Sequence, residues 1–234
     1  MQTVKPEHVG MPDVYCHPSV KKVVALHAEL LSIYPGNLRV IGVLEHQSRV
    51  LLKGFTEGDV AVCIQLSNWL PECAGMSSDQ LLKQDLTIHH MRLAVSREHG
   101  YESWSQVLAD GVHKLDAHFE AAVDAVLSGN LKKLNVLLAT HPGLINQTSQ
   151  YGHRATLLIY LAANGVETWR QVVPTNAAQV LTFLIEAGAD MKKCINVYGG
   201  QHNALELLLS SAHPRAAGVL DEMIQVWDEI SAGE

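Results

Sequence analysis

Two stretches of the chain, EGDVAVCIQLSNWLP (residues 57–71) and SGNLKKLNVLLATHP (residues 128–142), align with each other without a gap. A glycine, an aspartate or asparagine, a leucine and a final proline coincide at an offset of 71 residues. Half of this offset is close to the roughly 33-residue class of helical repeat, in which each unit contains a pair of short helices. The self-match therefore predicts two copies of one repeat with a third copy between them.

The second stretch and the residues before it contain two helical patterns. Apolar residues recur at helical spacing from Phe119 to Leu127, and Gly129 then provides the backbone freedom that a helix C-cap needs. Asn130 can cap the next helix, which ends before Pro142 and carries four leucines on one stripe, Leu131, Leu134, Leu137 and Leu138. Neither helix is long enough to be stable alone, so the pairs are expected to stack on one another.

Two further runs resemble the ankyrin repeat. TLLIYLAANG (residues 156–165) resembles the signature TPLHLAAxxG, with matches at Thr156, Leu158, Ala162 and Gly165. VLTFLIEAGADM (residues 180–191) is similar to the second ankyrin helix and turn, VxxLLxxGADV. LTIHHMRLAVSREHGYESW (residues 86–104) is similar to a segment upstream of the ankyrin units in a group of bacterial proteins. The resemblance covers most of the chain and implies a divergent bacterial ankyrin-repeat protein.

The expected fold is therefore all-α, an ankyrin-like helical-repeat solenoid of about five to six helix pairs with little or no sheet. The expected parts are an N-terminal extension (1–17), a divergent helical-repeat half (18–114) and ankyrin-like repeats (115–234). The last part contains a long inter-helix insertion at 166–175 and ends in a C-terminal cap whose exposed face is polar. In the first half, separate helices are expected at 38–47 and 48–57.

Composition limits the classes of function. The chain has 234 residues, of which 47% are hydrophobic and 18% are charged, so it can bury a full core. The net charge is −7 and the basic residues are scattered, which argues against nucleic acid or a membrane surface as the partner. The first residues lack the apolar core of a signal peptide, and no apolar run reaches membrane-helix length, so a cytoplasmic protein is expected.

The usual catalytic motifs are absent from the sequence. It contains no GxGxxG, GxxxxGK[ST], GxSxG or HExxH pattern, so no catalytic residue and no cofactor is predicted, and a non-enzyme is favoured. His113, Asp116 and Glu120 have a spacing that could place three metal ligands on one helical face. Because they span a predicted break between helices, they are interpreted as a solvated charged face, and no metal site is predicted.

Two classes of function remain open. Ankyrin repeats imply a protein-protein interaction module, which binds another protein on the concave face of the stack. Alternatively, the groove around residues 152–171 has become a site for a small polar ligand, conceivably in an unusual enzyme. The candidate binding residues are His153, Arg154, Tyr160, Asn164, Glu167, Trp169 and His202. A purely structural role is the competing interpretation of the insertion, with Trp169 covering a helix end and Arg170 paired to a surface acid.

Overall fold

The computed structural model describes residues 13–232, which are mostly helical. The helices of the first half are α1 (Pro18–Leu26), α2 (Ala28–Ile33), α3 (Val40–Glu57), α4 (Val60–Trp69), α5 (Ser78–Leu81), α6 (Ile88–Glu98) and α7 (Trp104–Asp110). Those of the second half are α8 (Ala117–Leu127), α9 (Leu131–Thr140), α10 (Leu157–Leu161), α11 (Ala177–Glu186), α12 (Ala204–Ser210), α13 (Ala212–Ala216) and α14 (Leu220–Ser231). None of the helices within residues 13–232 combines the length and apolarity needed to cross a bilayer.

The two self-matching stretches have the same local structure. Glycines after α3 and α8 have left-handed φ angles of 76° and 66° (Gly58 and Gly129). The next residue caps the following helix in each case, since a side-chain oxygen accepts a bond from a backbone N–H of its first turn (Asp59 and Asn130). Each second helix is followed by a short 3-10 helix that begins with proline (Pro71–Cys73 and Pro142–Ile145). The predicted order of a helix, a glycine, a capping residue, a second helix and a proline is confirmed at both places.

The prediction that the region of α3 contains two separate helices was wrong. The helices expected at 38–47 and 48–57 are one continuous helix, Val40–Glu57. Its core-facing stripe runs without interruption through Leu44, Gln47 and Leu51, all of which are buried. Gln47 is stabilised there by hydrogen bonds to other buried side chains, so a polar residue on the stripe does not end the helix.

The described residues contain little sheet, as expected, in two small antiparallel pairs of strands. Strand β1 (Val14–Cys16) pairs with β2 (Val172–Pro174), so the described end of the N-terminal extension lies against the insertion at 166–175. Residues 1–12 of that extension lie outside the described residues. Strands β3 (Cys194–Val197) and β4 (Gly200–Asn203) form a hairpin whose turn residues, Tyr198 and Gly199, have φ angles of 54° and 75°. Positive φ at both positions is the requirement of a type I′ turn.

The buried apolar residues form two clusters. One is built from residues 30–115 together with Tyr151, and the other from residues 119–227. The last helix, α14, closes the second cluster with Leu220, Met223 and Trp227. Its polar face is exposed, as predicted for the C-terminal cap, and consists of Asp221, Glu222, Gln225, Asp228 and Glu229.

Candidate functional site

The insertion at 166–175 is part of the protein interior. Residues 166–170 are all buried, and Thr168–Arg170 form a 3-10 helix that packs against α1. Strand β2 follows and is covered by β1. The side chains of this segment therefore lie between the two apolar clusters rather than in an open groove.

The first buried polar centre is the carboxylate of Glu98, at the last residue of α6. Its Oε1 accepts hydrogen bonds from the backbone N–H of Thr168 at 2.9 Å and from Thr168 Oγ1 at 2.5 Å. Its Oε2 accepts from Gln47 Nε2 at 2.5 Å and from Gln65 Nε2 at 2.8 Å. Burial raises the pKa of Glu98, while these donors act in the opposite direction by stabilising the anion. The carboxylate thus links α3, α4 and α6 to the insertion.

Two buried histidines are oriented by the same glutamines. His99 Nε2 lies 2.8 Å from Gln47 Oε1, and His27 Nε2 lies 2.7 Å from Gln65 Oε1. Because each amide nitrogen donates to Glu98, each amide oxygen must accept, which assigns the imidazole proton to Nε2. Burial lowers the pKa of His27 to about 4 and that of His99 well below its ordinary value, so both rings are neutral at pH 7.

The second buried polar centre is the guanidinium of Arg170. Its Nη2 donates to Glu120 Oε2 at 2.5 Å, and its Nη1 lies 3.5 Å from Glu167 Oε1. Its Cζ lies 5.0 Å from the centroid of the Tyr34 ring and 5.4 Å from that of Tyr160. Burial opposes the charge of Arg170, but the neighbouring acidic groups raise its pKa well above the ordinary value. The guanidinium is therefore charged and buried among acidic and aromatic groups.

His153 lies between these two centres. Its backbone N–H donates to the carbonyl of His99 at 3.0 Å, an approach that requires glycine at 100, where a Cβ would lie 2.1 Å from His153 N. His153 Nδ1 accepts from the N–H of Ala155 at 3.0 Å, which places the ring proton on Nε2. This nitrogen lies 3.8 Å from Glu167 Oε2. Burial lowers the pKa of His153 to about 3, so the pair is not an ion pair at pH 7.

The structure brings together only some of the predicted binding residues. His153, Tyr160 and Glu167 meet in the interior, where Tyr160 donates to Glu167 Oε1 at 3.1 Å, and Trp169 borders them beside the His27 and His99 rings. The others lie apart from this group and reach the surface: Arg154 is exposed, His202 is half-exposed beside Glu206, and Asn164 accepts a bond from Tyr198.

Two interpretations made from the sequence need correction, one of the exposure of Glu120 and one of the partner of Arg170. Glu120 was expected on a solvated charged face, but its side chain is only 1% exposed because it binds Arg170 and Tyr34. Arg170 was alternatively expected to pair with a surface acid. Its main partner is this buried carboxylate, and the exposed Asp124 lies farther away, at 3.8 Å.

Three residues of the buried polar network were not predicted from the sequence, namely Gln47, Gln65 and Glu98. Each lies on the apolar stripe of its helix: Gln47 follows Val43 and Leu44 at helical spacing, and Glu98 follows Ala94 and Val95 in the same way. A polar residue at a core-facing position needs a buried hydrogen-bond partner. That pattern was the available signal for a polar network in the core.

Two depressions open to solvent near these centres. The larger, here called the aromatic cleft, has a volume of about 520 Å³ and is lined by side chains within 67–74, 97–102 and 196–199. In it the rings of Trp69 and Tyr198 stack with centroids 5.6 Å apart and an interplanar angle of 8°. The smaller, the Arg170 depression, has a volume of about 350 Å³ and includes Tyr34, Asp124 and Arg170 in its lining.

Comparison of the chain with protein-family models, with curated proteins and with solved structures found no match. The two depressions and the buried polar network are the features of this chain that can support a function.

Proposed function

We propose that the chain is an ankyrin-type interaction module of the bacterial cytoplasm, built as a stack of helix pairs, which binds an extended peptide segment of a partner protein. The observation that carries this proposal is the aromatic cleft of about 520 Å³. It lies where the first half of the chain meets the β3–β4 hairpin of the second half. A cleft of this kind accepts a few consecutive residues of a partner without a change of fold.

The lining of the aromatic cleft matches the residue types that dominate protein-protein binding energies. Trp69, Tyr198 and Arg97 all contribute to it, and tryptophan, tyrosine and arginine are enriched at binding hot spots. Tyr198 is 57% exposed, so one face of its ring is available to an apolar side chain. Trp69 is largely buried and supports the Tyr198 ring from behind, because the two rings stack with an interplanar angle of 8°.

The backbone of Tyr198 supports a binding role for its side chain. A left-handed conformation, here with φ of 54°, costs a non-glycine residue on the order of 1–3 kcal/mol. The hairpin holds this conformation, and the side chain is further fixed by a hydrogen bond from its hydroxyl to Asn164 Oδ1 at 2.8 Å. A ring that is fixed before binding loses little conformational entropy when a partner covers it.

Selection from a displayed peptide library tests the proposal. Peptides enriched on the wild-type chain should bind Tyr198→Ala at least about tenfold more weakly, since losing a hot-spot residue costs 1.4 kcal/mol or more. Leu209→Ala is the matched control, because Leu209 is also an exposed apolar residue but does not line the aromatic cleft. The proposal is contradicted if enriched peptides bind Tyr198→Ala as tightly as wild type, or if no peptide is enriched.

A small polar ligand is the second candidate, and the Arg170 depression favours it. Asp124 and Arg170 both line this depression, and Asp124 Oδ1 lies 3.8 Å from Arg170 Nη2. Mass spectrometry of the purified native protein tests this candidate through a retained small molecule. Retention by wild type but not by Asp124→Asn supports it, and equal retention or none contradicts it.

A further inference from the structure

Three buried polar atoms face one another where the two halves of the chain meet. His99, His153 and Glu167 each offer a ligand atom, and these atoms lie within 4.8 Å of one another. His99 Nδ1, His153 Nε2 and Glu167 Oε2 have no hydrogen-bond partner within residues 13–232. Buried polar atoms without partners are rare in folded proteins, and three together require an explanation. We propose that these atoms bind a divalent metal ion of the zinc type, which joins the two halves of the protein. This site is separate from the aromatic cleft.

The ligand types and their separation fit such an ion. Two imidazoles and one carboxylate form a common ligand set for zinc, with bonds of about 2.0–2.2 Å and tetrahedral geometry, which places ligand atoms roughly 3.4 Å apart. The separation of His153 Nε2 and Glu167 Oε2 is 3.8 Å, so this pair needs a contraction of a few tenths of an ångström, and the separations among all three residues stay within 4.8 Å. A water molecule completes the four ligands.

The groups around the three ligands hold them in place. His99 donates its ring proton, on Nε2, to Gln47 Oε1, and Gln47 in turn donates to Glu98. Hydrogen-bonded support of this kind is usual for an imidazole that binds a metal. The backbone bond between His153 and His99 fixes their relative position. Glu167 is oriented through its second oxygen, Oε1, by Tyr160.

Metal binding changes the tautomer of one ring. His153 now carries its proton on Nε2, and this proton must leave before the nitrogen can bind a cation. It can move to Nδ1, where Ser149 Oγ lies 3.3 Å away as an acceptor. The bond from the N–H of Ala155 to Nδ1 is lost in this change, which is a cost that the metal-ligand bonds must exceed.

The charge of the buried cluster distinguishes a cation from a water molecule. The buried charged groups within residues 13–232 are three carboxylates and one guanidinium, those of Glu98, Glu120, Glu167 and Arg170. The net charge of this polar cluster is −2 when all four groups are ionised. Uncompensated buried charge is strongly unfavourable. A water molecule can satisfy the three unpartnered atoms but leaves this charge unchanged. A divalent cation satisfies them and also compensates the negative charge of the ionised carboxylates.

Metal analysis of the full chain, purified without chelators, is the first test. We expect about one zinc per chain, removal by a strong chelator, and restoration of the lost thermal stability by Zn²⁺ but not by Mg²⁺, which prefers oxygen ligands. Cobalt substitution of wild type should give the intense visible absorption of a four-coordinate nitrogen and oxygen site. A stripped protein that neither binds Zn²⁺ nor gives this cobalt spectrum overturns the proposal, whatever the behaviour of any variant.

A matched pair of variants then tests the ligand assignment. Glu167→Gln removes a ligand and should weaken Zn²⁺ affinity by more than about 100-fold, because even groups behind the ligands contribute 10- to 100-fold. Glu120→Gln removes another buried carboxylate bound to Arg170 but no ligand, and should change the affinity by less than about tenfold. Equal losses of affinity in the two variants would overturn the assignment.

Discussion

Thr168 donates two hydrogen bonds to the same oxygen of Glu98, one from its backbone N–H and one from its hydroxyl, across 70 residues of sequence. Glu98 ends a helix of the first half, and Thr168 begins the 3-10 helix of the insertion. This contact makes the insertion a structural element of the core. It also gives a buried hydrogen-bond partner to both the carboxylate of Glu98 and the hydroxyl of Thr168.

Loss of the hydroxyl bond should be measurable as a loss of stability. Thr168→Val keeps the shape of the side chain but removes one donor to a buried carboxylate, so the free energy of unfolding should fall by about 1.5–3 kcal/mol. Thr140→Val is the control, because Thr140 is exposed and its hydroxyl bonds to a carbonyl of its own helix, so its effect should stay within about 0.5 kcal/mol. Urea unfolding of both variants measures the difference, and equal effects would contradict the role of Thr168.

Removal of the buried cation should be more damaging. Arg170→Met leaves Glu120 and Glu167 without their counter-charge and should cost about 3–5 kcal/mol of stability. In the double variant with Glu120→Gln, the loss should be smaller than the sum of the single losses by about 0.5–3 kcal/mol, because the two groups interact directly. Strictly additive losses in a double-mutant cycle would show that the two side chains are not coupled.

His27 makes stability depend on pH. Burial lowers the pKa of His27 from the ordinary 6.5 to about 4. Between these two pH values the unfolded chain binds a proton at His27 that the folded chain does not bind. The folded state therefore has its full stability above pH 6.5 and loses stability as the pH falls. At about 1.36 kcal/mol per pKa unit, the loss from His27 between pH 7.5 and pH 5 is roughly 2 kcal/mol. His27→Gln removes this group, so wild type should lose that much more stability than the variant over the same range. Parallel losses in wild type and variant would contradict the assignment of a buried neutral imidazole.

The leucines that were predicted to share one stripe of α9 differ in their burial. Leu134 is fully buried, whereas Leu137, which lies on the same predicted stripe, is only half-buried. Leu134→Ala should therefore cost about 2–5 kcal/mol, and Leu137→Ala should cost less than about 2 kcal/mol. Chemical denaturation of the two variants measures this order, and the reverse order would show that α9 faces the core differently.

Local patterns allowed much of the helical structure to be predicted. Gly129 and Asn130 identified a helix end and the next helix start, because both depend on a few neighbouring residues. The continuity of α3 could not be predicted from the same rules. The burial of Gln47 at its centre is stabilised by a hydrogen bond to Glu98, a residue far away in the sequence, which local rules do not reveal.

The arrangement of the candidate sites was harder to predict for a similar reason. Glu167 and Trp169 were identified from their residue types, but the periodicity of a short insertion does not indicate whether it is buried. Burial of this segment depends on the pairing of Val14–Cys16 with Val172–Pro174 and on the acceptor provided by Glu98. The aromatic cleft depends on the meeting of Trp69 and Tyr198, which no local pattern encodes.

Native-state hydrogen exchange at the backbone amide of Thr168 tests the central claim, that the insertion is part of the core, most directly. This N–H is bonded to the buried carboxylate of Glu98, so it should exchange only when that contact opens. We predict that its exchange free energy equals those of the most protected amides of α3 and α6. Exchange at the rate of an exposed loop, with those helices still protected, would contradict the claim.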